Sequence, residues 1–161
     1  MDYAVRHARH LKGTPFSGVD SPYSAGPGGY LGSFMAWDAA SGTKVWENKE
    51  PFPNWSGALV TAGDVVFYGT LDGWFKAADA RSGRVLVKFK VGSGVVGNPI
   101  TYRGPDGRQY VAVYAGIGGD WALIAGDTRS DDPADVRAPA EPVKEIARYT
   151  SQGGMIWIFG L

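Results

Sequence analysis

The sequence predicts an all-β fold, and three observations carry that reading. Short runs rich in Val, Tyr, Phe and Trp recur along the chain, each bounded by Gly, Pro, Asp or Ser. Glycine makes up 24 of 161 residues, roughly twice the usual ~7%, which implies many tight turns. One stretch also repeats another. Ala36-Trp37-Asp38-Ala39-Ala40-Ser41-Gly42-Thr43-Lys44-Val45-Trp46 can be laid over Ala77-Ala78-Asp79-Ala80-Arg81-Ser82-Gly83-Arg84-Val85-Leu86-Val87, with Ala, Asp, Ala, Ser and Gly coinciding.

In chain order, strands are expected at Ser33–Asp38, Lys44–Glu47, Ala58–Thr61, Val65–Thr70, Trp74–Asp79, Val85–Lys90, Pro99–Tyr102 and Gln109–Ala115. The turns between them are explicit at Ala62-Gly63-Asp64, Leu71-Asp72-Gly73, Arg81-Ser82-Gly83 and Pro105-Asp106-Gly107. In each, Gly supplies a positive φ and Asp can bond its own backbone two residues on. Residues Asp127–Ala140 are polar, contain two prolines and read as a long surface loop. One short helix is expected at Glu141–Tyr149, where Pro142 suits the first turn and Val143, Ile146 and Ala147 share a face. Met155–Phe159 reads as a final strand.

The repeat sharpens the fold class. Ala36 and Ala77 lie 41 residues apart, and Ala58–Thr61 can be laid over Asn98–Thr101 at nearly that offset. A period near 40 with about four strands is one blade of a β-propeller. Asp and Gly would make the hairpin turn within a blade. Ala at the first position would let a large side chain from a neighbouring blade lie flat on it, and Trp46 at the eleventh would supply that side chain. The competing reading is a β-hairpin repeat in a sandwich.

Composition narrows the function classes. Lys and Arg total 16, Asp and Glu total 16, and a formal charge of zero argues against a nucleic-acid binder. No run of ~18 apolar residues is present to span a membrane as a helix. MDYAVRHARH has no apolar segment of the kind a signal peptide needs. The absence of Cys removes disulfides, thiolate metal sites and Cys nucleophiles together.

The pattern Ala-x-Asp-x-x-x-Gly-x-x-x-Trp resembles the tryptophan-docking repeat of the quinoprotein methanol and ethanol dehydrogenases, which use pyrroloquinoline quinone (PQQ). The run from Trp55-Ser56-Gly57 through Thr61-Ala62-Gly63 to Phe67-Tyr68-Gly69-Thr70-Leu71-Asp72-Gly73 is similar to a family segment. So are Gly92-Ser93-Gly94, Pro99-Ile100-Thr101-Tyr102, Gln109-Tyr110-Val111 and Gly116-Ile117-Gly118-Gly119. The ending Thr150-Ser151-Gln152-Gly153-Gly154, followed by an apolar strand, resembles the family's C-terminal blade closure. The resemblance covers essentially the whole chain but only the C-terminal part of an eight-bladed propeller. It implies about three four-stranded blades, in one incomplete domain spanning residues 1–161 with no internal boundary. Met1-Asp2-Tyr3 is similar to an internal family segment, so an internal start or a truncated reading frame is expected.

The resemblance also implies a division of labour. In the family, calcium or a lanthanide polarises PQQ and an Asp accepts the alcohol proton. The metal ligands, that Asp and its neighbouring Arg have no matching motif in this chain. Trp55 matches a family Trp whose indole N–H reaches a PQQ oxygen, and Gly119 and Trp121 match a Gly-Trp pair at the cofactor's carboxylate edge. Asp120 intrudes in that pair, so either Trp121 shifts by one or Asp120 occupies the contact. From the residues alone, Trp55 reads first as a core or interblade aromatic, and Trp121 is readable either way.

Other signals are weaker. Gly92-Ser93-Gly94-Val95-Val96-Gly97 fits G-x-G-x-x-G, but a strand rather than a helix is expected next, which excludes the dinucleotide reading. Asp127, Asp131, Asp132 and Asp135 lack the spacing of a calcium loop. His7 and His10, among Arg6, Arg9 and Lys12, read as a solvated basic stretch. Asn54-Trp55-Ser56 is a glycosylation sequon in a place expected to be buried.

The resulting expectation is the C-terminal part of a periplasmic alcohol dehydrogenase, acting on small primary alcohols and passing electrons to a cytochrome c-type acceptor. Alone, the chain would be inactive and would self-associate through open blade edges. The alternative is a non-enzymatic propeller module that binds proteins.

Overall fold

The computed structural model describes residues 4–5, 19–20, 25–117, 145–151 and 153–161. It is built of antiparallel sheets. Strands β1 (Ala4–Val5) and β2 (Val19–Asp20) form a small pair, and β3 (Gly32–Asp38) and β4 (Thr43–Glu50) form a hairpin. A four-stranded sheet follows in sequential order: β5 (Ala58–Val60), β6 (Val65–Gly69), β7 (Trp74–Asp79) and β8 (Val85–Lys90). The last sheet has the order β11-β10-β9, from β9 (Ile100–Arg103), β10 (Gln109–Ala115) and β11 (Met155–Gly160). Among the described residues, one sheet therefore has the four strands expected of a blade, and its neighbours have two and three. Strands β5 and β9 are the first strands of successive sheets, but the turns that follow them place Thr61 in correspondence with Gly104 rather than Thr101.

The repeat is visible as geometry. Asp38 accepts from the Ala40 N–H at 2.9 Å and the Ser41 hydroxyl at 2.8 Å. Asp79 accepts from the Ser82 N–H and the Ser82 hydroxyl, both at 2.8 Å. In both turns the Gly of the motif closes back on the Asp carbonyl at 2.8 Å, with φ of 66° at Gly42 and 74° at Gly83. Each copy also carries a register shift at the same place, between Ala36 and Trp37 in one and Ala77 and Ala78 in the other. A bulge raises local twist, so the two hairpins turn alike.

Trp46 joins the first hairpin to the four-stranded sheet. Its indole N–H donates to the Ala80 carbonyl at 2.9 Å. Its ring lies over Gly83, where an added Cβ would sit 2.6 Å from the ring. The motif predicts that the ring lies on the alanine at its first position, and the structure places it on the glycine at the seventh. The reason is steric: only a residue without Cβ lets an indole lie on the backbone of a turn. Ala77 instead packs within its own sheet, against the cluster that holds Phe67 and Phe75.

Period-two alternation along β6 sorts its side chains between two interfaces. Val66 and Tyr68 pack with Ala78, Phe34 and Trp46 on the side of the first hairpin. Phe67 joins Phe75, Val91, Val95, Val111, Val113 and Ala115 on the side of the last sheet. Trp157 of β11 reaches across this second interface and donates to the Val91 carbonyl at 3.2 Å.

Of the helix expected at Glu141–Tyr149, the described residues show a 3-10 turn at Glu145–Arg148, and residues 141–144 lie outside the described residues. It is anchored by Ile146, which is buried, and its carbonyl accepts from the N–H groups of Tyr149 and Thr150. The loop 127–140 and the histidines at 7 and 10 also lie outside the described residues.

Candidate functional site

Strand direction decides which loops can meet. With every neighbouring pair antiparallel, the loops 51–57, 70–73 and 91–99 and the chain leaving β10 at Gly116 all lie at one end of the sheets. The Asp-Gly turns of the repeat lie at the other. The Trp55 loop therefore shares an end with the chain that leads towards Gly119.

Hydrogen bonds knit these loops together. The Ser56 hydroxyl accepts from the Gly69 N–H at 3.1 Å and donates to the Gly57 carbonyl at 2.7 Å. The Val95 N–H donates to the Thr70 carbonyl at 3.1 Å, and the Gly116 N–H to the Gly94 carbonyl at 2.8 Å. Ser93, buried, accepts from the Ile117 N–H at 3.1 Å and donates to the Ser151 carbonyl at 2.8 Å. The glycines of Gly92–Gly97 thus serve close packing: a Cβ at Gly94 would lie 2.6 Å from the Leu71 carbonyl. Strand β9 follows the motif, as the rejection of a dinucleotide site requires.

An apolar cluster lies beneath these loops. Phe52, Leu71 and Ile146 are buried in it, with Leu31, Val96 and Ile117 packed against them. Phe52 is three residues before Trp55, and Ile117 is two residues before Gly119. The fold therefore brings Phe52 and Ile117 into one cluster. Trp55 itself is 37% exposed. Gly119, Asp120 and Trp121 lie outside the described residues.

Asn54, beside Trp55, was legible only as part of a sequon. Both polar atoms of its amide are buried and have no hydrogen-bond partner among the described residues. A buried Nδ2 is not open to glycosylation. Ser56 and Ser93 also escaped the sequence reading, because their role depends on which loops lie next to one another.

An ion pair flanks the Trp55 loop. Glu50, at the end of β4, is buried and receives Lys76 Nζ at 2.7 Å on each carboxylate oxygen. The Tyr68 hydroxyl donates to the same carboxylate at 2.9 Å. Burial first, and then the Glu50 charge, holds the Tyr68 phenol well above its ordinary pKa. Tyr68 is therefore a neutral donor at any physiological pH. Among the described residues no group of three His, Cys, Asp or Glu could hold a metal ion, and no helix is long and apolar enough to cross a membrane.

Residues 48–111 match the family model described as the β-propeller domain of glucose, ethanol and alcohol dehydrogenases, with PQQ as its short name. The whole chain aligns at 44% identity with 27% of a lanthanide-dependent methanol dehydrogenase of Methylacidiphilum fumariolicum. It aligns over 99% of its length, at 40% identity, with 23% of a quinoprotein ethanol dehydrogenase of Pseudomonas aeruginosa. The fold agrees: a solved europium-containing methanol dehydrogenase superposes with a TM-score of 0.82 at 43% identity, covering 99% of this chain and 29% of that one. The chain belongs to the PQQ β-propeller family. It spans about 27% of the length of such curated relatives, so its sheets are part of a propeller. A methanol dehydrogenase [cytochrome c] subunit 1 of Methylobacterium organophilum is also similar, at 45% identity over 81% of the chain.

Proposed function

We propose that this chain is part of a PQQ-dependent alcohol dehydrogenase acting on small primary alcohols, and that its share of the work is to hold the cofactor. Trp55, Gly119 and Trp121 would form that contact, with calcium or a lanthanide bound by residues elsewhere in the complete protein. The observation that carries the reading is the convergence in one cluster of Phe52, three residues before Trp55, and Ile117, two residues before Gly119. The residues fit a flat, oxygen-rich, anionic cofactor. The partly exposed Trp55 offers an aromatic surface to a flat ring, and the Asn54 amide beside it is buried with no partner among the described residues.

When bound, PQQ supplies the electron sink that accepts hydride from the alcohol. This chain supplies rigidity and exclusion of water. Ser56, clamped to the end of β6, fixes the loop that carries Trp55. The apolar cluster under it keeps solvent from the inner side. Such fixed positioning is what lets a protein group hold a cofactor without reorganising. A periplasmic location for the complete protein, with a c-type cytochrome as electron acceptor, rests on the family resemblance set out above.

On the family resemblance, the metal ligands and the Asp that takes the alcohol proton lie elsewhere in the complete protein. In a dye-linked alcohol assay with PQQ and calcium or a lanthanide the chain alone should show no turnover. In the complete protein, Trp55→Ala should lower PQQ content sharply. An unchanged PQQ content would favour the protein-binding propeller module instead.

A further inference from the structure

The amide of Asn54 is buried on both polar atoms and meets no partner among the described residues. A buried amide without partners is costly, whereas an apolar side chain of the same shape would cost little there. The loop gives Asn54 no freedom to relieve this. On one side Phe52 is buried against Leu71 and Ile146. There the backbone also runs tightly past Gly32, where a Cβ would lie 2.1 Å from the Phe52 carbonyl and 3.1 Å from the Asn54 nitrogen. On the other side Ser56 is hydrogen-bonded to Gly69. Asn54 is therefore held between two clamps, next to the half-exposed Trp55.

We infer that Asn54 is a cofactor-facing residue, its Nδ2 donating to an oxygen of PQQ alongside the Trp55 indole. This rests on the reading that the chain holds PQQ. An amide presents a donor and an acceptor side by side. A quinone fringed by carboxylates presents mostly acceptors, so the NH2 end is the one that is matched. Asn suits an anionic ligand where Asp would not, because it donates without adding a negative charge. A buried Nδ2 is not open to glycosylation, and no described residue partners the amide.

The test uses the complete protein with Asn54→Leu and Asn54→Asp, each titrated with PQQ by tryptophan fluorescence and each melted without cofactor. Asn54→Leu should keep or raise the melting temperature of the cofactor-free protein while weakening PQQ binding by about tenfold or more, as expected for a hydrogen bond to a charged group. Asn54→Asp, nearly isosteric, should weaken binding further through charge repulsion. It keeps the role testable if the leucine variant fails to fold. PQQ affinities within twofold of wild type in a folded variant would overturn the role of Asn54. Failure of the wild-type protein to bind PQQ would instead overturn the underlying functional reading.

Discussion

Among single residues, those that build the blade are separate from those proposed to face the cofactor. Trp46 belongs to the first kind. Trp46→Ala removes a ring seated on Gly83 and a bond to the Ala80 carbonyl. It should cost about 3 kcal/mol, at the low end for large aromatics because the ring is only partly buried. Denaturant unfolding of the complete protein would measure it. Gly83→Ala should destabilise too, since its φ is 74° and its Cβ would enter the indole. Asp38 and Asp79 give the turns a pH signature. The Ala40 N–H, followed by the Ser41 hydroxyl, lowers the Asp38 pKa, and the Ser82 hydroxyl, followed by the Ser82 N–H, lowers that of Asp79. A depressed folded pKa contributes stability that is present above the unfolded value of about 3.9 and is lost as pH falls through the folded value. The melting temperature should therefore drop below about pH 4, and less so in Asp38→Asn and Asp79→Asn.

Between elements, one buried ion pair ties the first hairpin to the four-stranded sheet. Lys76→Met would leave the Glu50 carboxylate buried beside Tyr68 with one donor instead of three hydrogen bonds. That should cost about 3–5 kcal/mol, and the double variant Glu50→Leu with Lys76→Met should recover much of it. Chemical denaturation of the two variants checks both expectations. This pair was not legible in the sequence, because Glu50 and Lys76 sit in different sheets and nothing local links them. The strands themselves were legible. Trp74–Asp79, Val85–Lys90 and Gln109–Ala115 fall where the apolar runs and turn residues predict them. Val143, Ile146 and Ala147 have helical spacing, but what forms among the described residues is one 3-10 turn held by Ile146. Val87 shows how a missing motif residue carries meaning. It stands where the repeat expects a docking Trp, and it is 64% exposed.

Across the chain as a whole, the exposed apolar surface is extensive and ordered. Val85, Leu86, Val87 and Phe89 are exposed along β8, and Met155, Ile156 and Ile158 along β11. Among the described residues, strand β11 is also the edge of a three-stranded sheet. An apolar edge strand is a template for pairing with another chain. The chain expressed by itself should therefore self-associate, and sedimentation velocity would show species larger than one chain of 17.2 kDa. A monodisperse monomer that unfolds cooperatively would contradict that expectation. Neither composition nor the repeat could reveal the proposed cofactor role. That role depends on four loops meeting at one end, and on a family resemblance at Trp55 that spacing alone does not supply. Its most direct test is the solved structure of the complete protein with PQQ, reading the distance from the Trp55 indole nitrogen to the nearest PQQ oxygen. The account predicts about 3 Å, within hydrogen-bond range. PQQ bound elsewhere, or Trp55 packed between blades away from it, would contradict the central claim.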